Sequence, residues 1–143
     1  MKIFNINFTG VLDDTERNKF KREQGIYCVY VGSQNNKTVT PRKLVYVGET
    51  GDFRDRHYDK EHEHYQDFLD ECKDGEEIFY NYAVTTGFTD TDRVRVQDAL
   101  IYELQPSINT SSKETFNHPE TIVNIKGNKP NGLMPNKITA KKD

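Results

Sequence analysis

The strongest constraint on the fold is a pair of short apolar runs, "GIYCVYVG" at residues 25–32 and "KLVYVGET" at residues 43–50. Both runs are rich in β-branched and aromatic residues, and the polar stretch "SQNNKTVTPR" joins them. This is the pattern of two strands and the loop of an antiparallel hairpin. Because both faces of each run are apolar, the hairpin is expected in the centre of a sheet, with helices covering at least one side.

The neighbouring segments predict further strands and helices. Apolar residues alternate over Phe4–Phe8, which predicts an opening strand, and "DDTERNKFKREQ" predicts a short helix that ends before Gly25. The stretch after the hairpin predicts one or two helices that begin at Thr50 or Asp52 and end at Gly75. "EIFYNYAVTT" alternates again and predicts a third strand.

The clearest helix signal in the chain is "TDTDRVRVQDALIYELQP", with an N-cap near Asp90 or Asp92 and a stop at Pro106. After it, "TIVNI" and "GLMPNKIT" predict two short strands around the turn "KGNKPN". A chain of 143 residues has the length of a single domain. The elements predict an α+β fold, with a small central antiparallel β-sheet flanked by helices.

Charge is unevenly distributed along the chain. The net charge is −3, and residues 61–77 hold eight carboxylates and one lysine. A solvated helix face is the ordinary explanation for such an acidic segment, and a surface that repels DNA or binds a basic protein is the alternative. The only cysteines are Cys28 and Cys72, and no apolar run reaches the length of a membrane span. We therefore expect reduced thiols, no membrane partner and a cytoplasmic location.

Two tyrosines of the apolar runs, Tyr27 and Tyr46, can project from adjacent strands of the hairpin on the same face. Tyrosines in a sheet are more often packing residues than chemical groups, so the residues that follow Tyr46 are informative. Arg56, Lys60 and His64 follow at i, i+4 and i+8 of a predicted helix, which places them on one helical face. All three side chains are compatible with a phosphate group.

The ordered set "GIY" (25–27), "YVG" (46–48), Arg56 in "GETGDFRDR", and "QPSIN" (105–109) resembles the motifs of the GIY-YIG endonucleases. The resemblance covers residues 25–109 and leaves an N-terminal strand and helix at 1–24 and a C-terminal hairpin-like extension at 110–143. It implies a small antiparallel sheet flanked by helices. It also implies an enzyme that hydrolyses a DNA phosphodiester with one divalent metal ion, Mg²⁺ or Mn²⁺.

The resemblance also implies roles for individual residues. Tyr27 would activate or position the attacking water, and Tyr46 would help to orient that water and the scissile phosphate. Arg56 would neutralise charge on the phosphoryl oxygens, which suits a guanidinium fork. The family often has a histidine or tyrosine one turn after the arginine. This chain has Lys60 there, with His62 and His64 just beyond.

The family's metal-binding glutamate corresponds to Gln97 in this chain, nine residues before Pro106. A neutral amide offers an oxygen but no charge, and hard cations favour carboxylates. Three outcomes therefore stay open. Gln97 holds a metal ion weakly with help from the DNA phosphate, the neighbouring Asp98 replaces it, or the site no longer cuts.

The leading hypothesis is a DNA endonuclease, and the alternative is a catalytically inactive module of the same fold that binds DNA or a protein partner. A protein partner would use the acidic segment 61–77. DNA would contact basic residues of the hairpin loop and of the C-terminal tail. These candidates are Lys37, Arg42, Lys43, Lys126, Lys129 and Lys137.

Overall fold

The two apolar runs form one long antiparallel hairpin, β3 (Gly25–Asn35) and β4 (Thr38–Thr50). The structure is a computed structural model that describes residues 1–10, 12–13, 22–54 and 62–142. The prediction that the whole polar stretch "SQNNKTVTPR" forms the loop is wrong, because most of this stretch continues the two strands. Pairing extends to Asn35↔Thr38, and the turn is left to Asn36, at φ 57°, and Lys37.

The sheet contains five further strands: β1 (Lys2–Phe8), β2 (Leu12–Asp13), β5 (Glu77–Val84), β6 (Thr121–Gly127) and β7 (Lys137–Ala140). The strand order is β4-β3-β5-β1-β6-β7, and β2 pairs separately with β5. The expectation of a wholly antiparallel sheet is wrong for one pair, since β6 runs parallel to β1. The chain passes through a helix and a long connection before β6, which lets it re-enter the sheet in the direction of β1.

Alternation along β3 separates two faces of the sheet. Ile26, Cys28 and Tyr30 belong to one hydrophobic cluster, and Tyr27 and Val29 belong to a second. Helix α1 (Tyr65–Glu71) contributes Phe68 to the second cluster. Helix α2 (Asp90–Leu104) contributes four buried apolar side chains to the first, namely Val96, Ala99, Leu100 and Ile101. The two helices therefore cover opposite faces, which makes this an α+β fold.

Helix α2 begins at Asp90, one of the two expected N-caps, so its N-cap lies one residue earlier. Thr89 is the N-cap, and its side chain accepts from the Asp92 backbone N–H while the Asp92 carboxylate accepts from the Thr89 backbone N–H. This reciprocal capping box explains why Asp92 looked like a cap in the sequence. The helix ends at Leu104, and Gln105 follows in a left-handed conformation before Pro106.

The strand β4 lies at one edge of the sheet, whereas the apolar pattern predicted a central position for the whole hairpin. The segment after α2 covers that edge. The Ile108 backbone N–H donates to the Val45 carbonyl at 2.9 Å, and the Asn109 amide bonds both the N–H and the carbonyl of Val47 at 2.9 Å. The backbone groups of β4 thus gain partners beyond the ladder, and its apolar outer residues are shielded.

The hairpin is also tied to the end of α1 by charge. Arg42 donates two hydrogen bonds of 2.8 Å to the Glu76 carboxylate and a third of 2.9 Å to the Glu71 carbonyl. The paired guanidinium holds the pKa of Glu76 at about 2, below its ordinary 4.5. Lys43 pairs with the Glu71 carboxylate at 2.9 Å. Part of the acidic segment is therefore neutralised within the fold.

Glu76→Gln is expected to lower the free energy of unfolding at neutral pH by about 1–2 kcal/mol, because the bidentate pair with Arg42 is lost. Since folding depresses the pKa of Glu76, its contribution is present above about pH 4.5 and disappears as the pH falls towards 2. Denaturant titrations should show a larger difference between variant and wild type at pH 7 than at pH 2.5, where most of the contribution of Glu76 is lost. Glu77→Gln, at the exposed neighbouring position, is the control. An equal loss in both variants would contradict the assignment.

Candidate functional site

Tyr27 lies on the second face of the sheet, directly opposite Gly48 of β4. The tyrosine is 1% exposed, and its ring occupies the space above the glycine. A Cβ on Gly48 would lie 2.5 Å from the Tyr27 hydroxyl oxygen and 2.6 Å from Cε1, far inside van der Waals contact. The tyrosine of "GIY" and the glycine of "YVG" are therefore two halves of one packing arrangement.

Tyr46 is half-buried on the same face and forms an aromatic cluster with its neighbours. Its ring centroid lies 6.1 Å from that of Tyr27, 5.6 Å from His62 and 5.1 Å from His64. Phe68 of α1 packs beneath the group at 5.6 Å from Tyr46. We call Tyr27, Tyr46, His62 and His64 the tyrosine–histidine cluster.

A polar contact in this cluster joins the Tyr27 hydroxyl and His62 Nε2, which lie 3.1 Å apart in a buried environment. The His64 backbone N–H donates to the other ring nitrogen, His62 Nδ1, at 3.0 Å. A neutral imidazole with an accepting Nδ1 carries its proton on Nε2, so His62 donates to the Tyr27 oxygen. Tyr27 keeps its own O–H proton for another partner.

No role was predicted for His62 from the sequence, although its ring forms a hydrogen bond with the Tyr27 hydroxyl. His62 is 4% exposed, and only its position just beyond the expected shuttle residue Lys60 could have suggested it. His64, named as a candidate, is half-buried at the edge of the cluster, with Nδ1 3.1 Å from the Asp67 carboxylate. Arg56 and Lys60 lie outside the described residues, as do residues 14–21 of the helix predicted before Gly25. The remainder of that prediction is wrong, since Asp13 lies in strand β2 and residues 22–24 are not helical.

Gln97 lies on α2, the helix that covers the first face, whereas the two tyrosines project from the second. Its side chain is half-buried, one turn after Arg93, whose guanidinium bonds the Glu49 carboxylate of β4 at 2.9 Å. The structure thus does not bring Gln97 and the tyrosines together on one face. It places Gln97 on the helix that packs beside the β4 edge.

Asp98, the alternative metal ligand, is already engaged by neighbouring side chains. Its carboxylate lies 2.7 Å from His118 Nε2, accepts from the Ser112 hydroxyl at 3.0 Å, and lies 3.4 Å from Gln97 Nε2. These contacts fix the loop 111–118 to α2. The Gln97 amide supplies no charge and the Asp98 carboxylate is occupied, so this pair does not fit a tightly held Mg²⁺ or Mn²⁺ ion.

Across the described ranges, no group of three or more His, Cys, Asp or Glu side chains is arranged to share a metal ion. The tyrosine–histidine cluster contributes two imidazoles, of which His62 is already bonded through both nitrogens. Its chemistry is that of proton transfer and hydrogen bonding, in which histidine and tyrosine are the usual groups.

The basic residues predicted to contact DNA differ in their partners within the fold. Arg42 and Lys43 are paired with Glu76 and Glu71, as described above. Lys129 donates three hydrogen bonds, to Asn131, Asn136 and the Met134 carbonyl. The side chains left exposed are those of Lys37, Lys126 and Lys137.

Neither α1 nor α2 has the length and hydrophobicity needed to cross a membrane. Comparison of the chain with models of protein families, with curated proteins and with solved structures finds no match.

Proposed function

We propose that the protein is a DNA endonuclease of the GIY-YIG type, which hydrolyses phosphodiester bonds at the tyrosine–histidine cluster. The observation that supports this most is the buried contact between Tyr27 and His62, in which a tyrosine of the expected motif is held by a histidine. A buried tyrosine hydroxyl needs a hydrogen-bond partner in any core, but here that partner is a histidine bonded through both nitrogens, beside a second tyrosine–histidine pair that is half-buried. Such fixed acid–base pairs are typical of sites that move protons.

Each side chain has a role in the proposed hydrolysis. Tyr27 would hold the attacking water through its hydroxyl, with His62 fixing the orientation of that hydroxyl. Tyr46 and His64, which are half-buried, would contact the substrate at the mouth of the cluster. Arg56 would stabilise charge on the phosphoryl oxygens. The GIY-YIG family uses a divalent ion, Mg²⁺ or Mn²⁺, for hydrolysis, but Gln97 and Asp98 would hold such an ion poorly.

A second function, binding without cleavage, is favoured by Gln97. A neutral amide at the position of the family's metal-binding glutamate removes the charge on which hydrolysis would depend. In this case the fold would hold DNA, or a basic protein through the exposed carboxylates that remain in segment 61–77. Among the described residues of this segment, the exposed carboxylates are those of Glu63, Asp67, Asp70, Asp74 and Glu77.

The proposal is tested by incubating supercoiled plasmid with the purified protein and Mg²⁺, Mn²⁺ or EDTA, followed by gel separation of nicked from intact circles. We expect slow nicking that depends on the divalent ion. If no nicking occurs at micromolar protein with either ion, while the protein still binds DNA or a basic protein, the binding module is the correct function.

Gln97→Glu is expected to leave Mg²⁺-dependent nicking within about twofold of wild type, because Gln97 lies on the face of the sheet opposite the tyrosine–histidine cluster. Initial nicking rates over a range of Mg²⁺ concentrations measure the effect. Gln34→Glu makes the same change at an exposed position of β3 and should also leave the rate as it is. A rate raised about 10-fold in Gln97→Glu alone would show that the face covered by α2 takes part in the site, since a carboxylate supplies the charge that the amide lacks.

A further inference from the structure

The second face of the sheet is divided into a covered part and an open part. Over β3 and β5 it carries the cluster that contains Tyr27, Tyr82 and Phe68 of α1. Phe4, Ile6 and Phe8 of β1 point to the first face, so the alternate residues of β1 point to the second. The structure as described places neither helix over the second face at β1, β6 and β7.

We call this part of the sheet the open face. The strand register places Asn5 beside Asn124, Asn124 beside Lys137, and Asn7 beside Lys126. Residues paired in this way share a face. The open face therefore presents two lysines among three asparagines, and the Asn124 amide donates to Asn5 Oδ1 at 3.1 Å.

A cavity of about 640 Å³ lies along the open face. None of the side chains that line it is acidic, although the chain as a whole carries a net charge of −3. Lys129 lies at its wall, where Asn131, Asn136 and the Met134 carbonyl fix its ammonium group. Lys126 and Lys137 have no ion pair or hydrogen bond with the side chains that the structure describes, and both are exposed.

We propose that the open face binds the sugar–phosphate backbone of a DNA strand. Lysine ammonium groups and asparagine amides are common donors to phosphate and sugar oxygens, and two exposed lysines beside hydrogen-bonded amides suit an extended polyanion better than one small anion. This inference rests on the proposed function, since it names the surface that would hold the DNA being cut.

The position of the open face fits that use. It lies on the same face of the sheet as Tyr27 and Tyr46, and its two lysines, on β6 and β7, are three to five strands away from β3 and β4 in the order of the sheet. Adjacent strands are about 4.8 Å apart, which gives a separation of roughly 15–25 Å. About four to seven base pairs of DNA span that distance at 3.4 Å per pair. One duplex can therefore contact the open face and the tyrosine–histidine cluster together.

The test is the affinity of a fluorescently labelled DNA duplex of about 20 base pairs, measured by anisotropy over a range of salt concentrations. The double variant Lys126→Gln/Lys137→Gln is expected to bind about 10-fold more weakly at about 100 mM salt. The plot of log affinity against log salt should become shallower, with the magnitude of its negative slope smaller by about 2, because two phosphate contacts are lost. The charge-conserving variant Lys126→Arg/Lys137→Arg should bind like wild type.

The control is Lys73→Gln/Lys113→Gln, which removes the same charge from the loop after α1 and from the loop after α2, and should bind DNA within about twofold of wild type. If the control weakens binding as much as Lys126→Gln/Lys137→Gln does, or if the latter binds like wild type, the open face is not the DNA surface. Wild type that binds no DNA, or that binds only polyglutamate as an acidic polypeptide, also overturns the inference.

The prediction about DNA affinity and the prediction about the nicking rate can fail independently of each other. Loss of binding in Lys126→Gln/Lys137→Gln without any nicking by wild type supports the open face and contradicts only the nuclease. Nicking that persists with unchanged affinity in the same variant contradicts only the open face.

Discussion

Tyr27→Phe is expected to lower the rate of plasmid nicking by about 100-fold or more. The substitution keeps the ring above Gly48 and removes only the hydroxyl that contacts His62. Loss of a group that positions or deprotonates the attacking water typically costs a factor of about 10² to 10⁴. Initial rates on supercoiled plasmid, at equal protein concentration, measure the effect.

Folding must be followed in the same experiment. Removing the hydroxyl leaves the His62 Nε2–H donor buried without that acceptor, which costs about 1–3 kcal/mol of stability. Circular dichroism should therefore show a lower melting temperature but a folded protein at the assay temperature. Tyr65→Phe removes a hydroxyl from another tyrosine beside the same cluster and should retain the rate within about twofold. Nicking by Tyr27→Phe at the wild-type rate would place the chemistry elsewhere.

Gly48→Ala is expected to cause the largest loss of stability among single-methyl substitutions on β4, about 3 kcal/mol. The added Cβ would overlap the ring and hydroxyl of Tyr27, which is fully buried and held by His62. The buried ring cannot move without losing its packing, and the backbone of Gly48 cannot shift without disturbing the ladder between β3 and β4. A loss of this size corresponds to a decrease in melting temperature of about 10 °C, which thermal unfolding by circular dichroism would detect.

Gly132→Ala provides the matched control, because a Cβ at Gly132 meets no atom within 4 Å and its φ is not positive. This variant should melt within about 2 °C of wild type. A melting temperature of Gly48→Ala equal to that of the control would mean that Tyr27 can leave the space above the glycine. The packing account of the two motifs would then be wrong.

Several elements could be predicted from local pattern alone. The alternation of Phe4, Ile6 and Phe8 predicted β1, and the pattern of "EIFYNYAVTT" predicted β5. Helix α2 was predicted because helix periodicity and its end at Pro106 are properties of a single segment. The extent of β3 and β4 was not predicted. The turn-forming residues of "SQNNKTVTPR" are paired across the hairpin, and pairing is a long-range property.

The candidate site was predicted less completely. Tyr27 and Tyr46 were expected on one face, and their rings do lie side by side. His62 was passed over because its role depends on the backbone N–H of His64 and on the burial of Tyr27, which are contacts that no sequence spacing encodes. Arg42 and Lys43 looked like DNA contacts in the sequence, but the fold pairs them with Glu76 and Glu71.

The sequence by itself determined that β1, β5 and β6 are strands, that α2 is a helix and which side of β1 is apolar, because hydrophobic periodicity is local and repeats every two or 3.6 residues. Only the tertiary structure decided what those sides face. It joined β6 to β1 in parallel, placed α1 and α2 on opposite faces, and left the Asn5–Asn124–Lys137 row uncovered. The tertiary structure also explains the glycine at position 48, because a Cβ there would overlap the Tyr27 ring. Such contacts join residues far apart in the chain, and their energies depend on packing that local sequence does not specify.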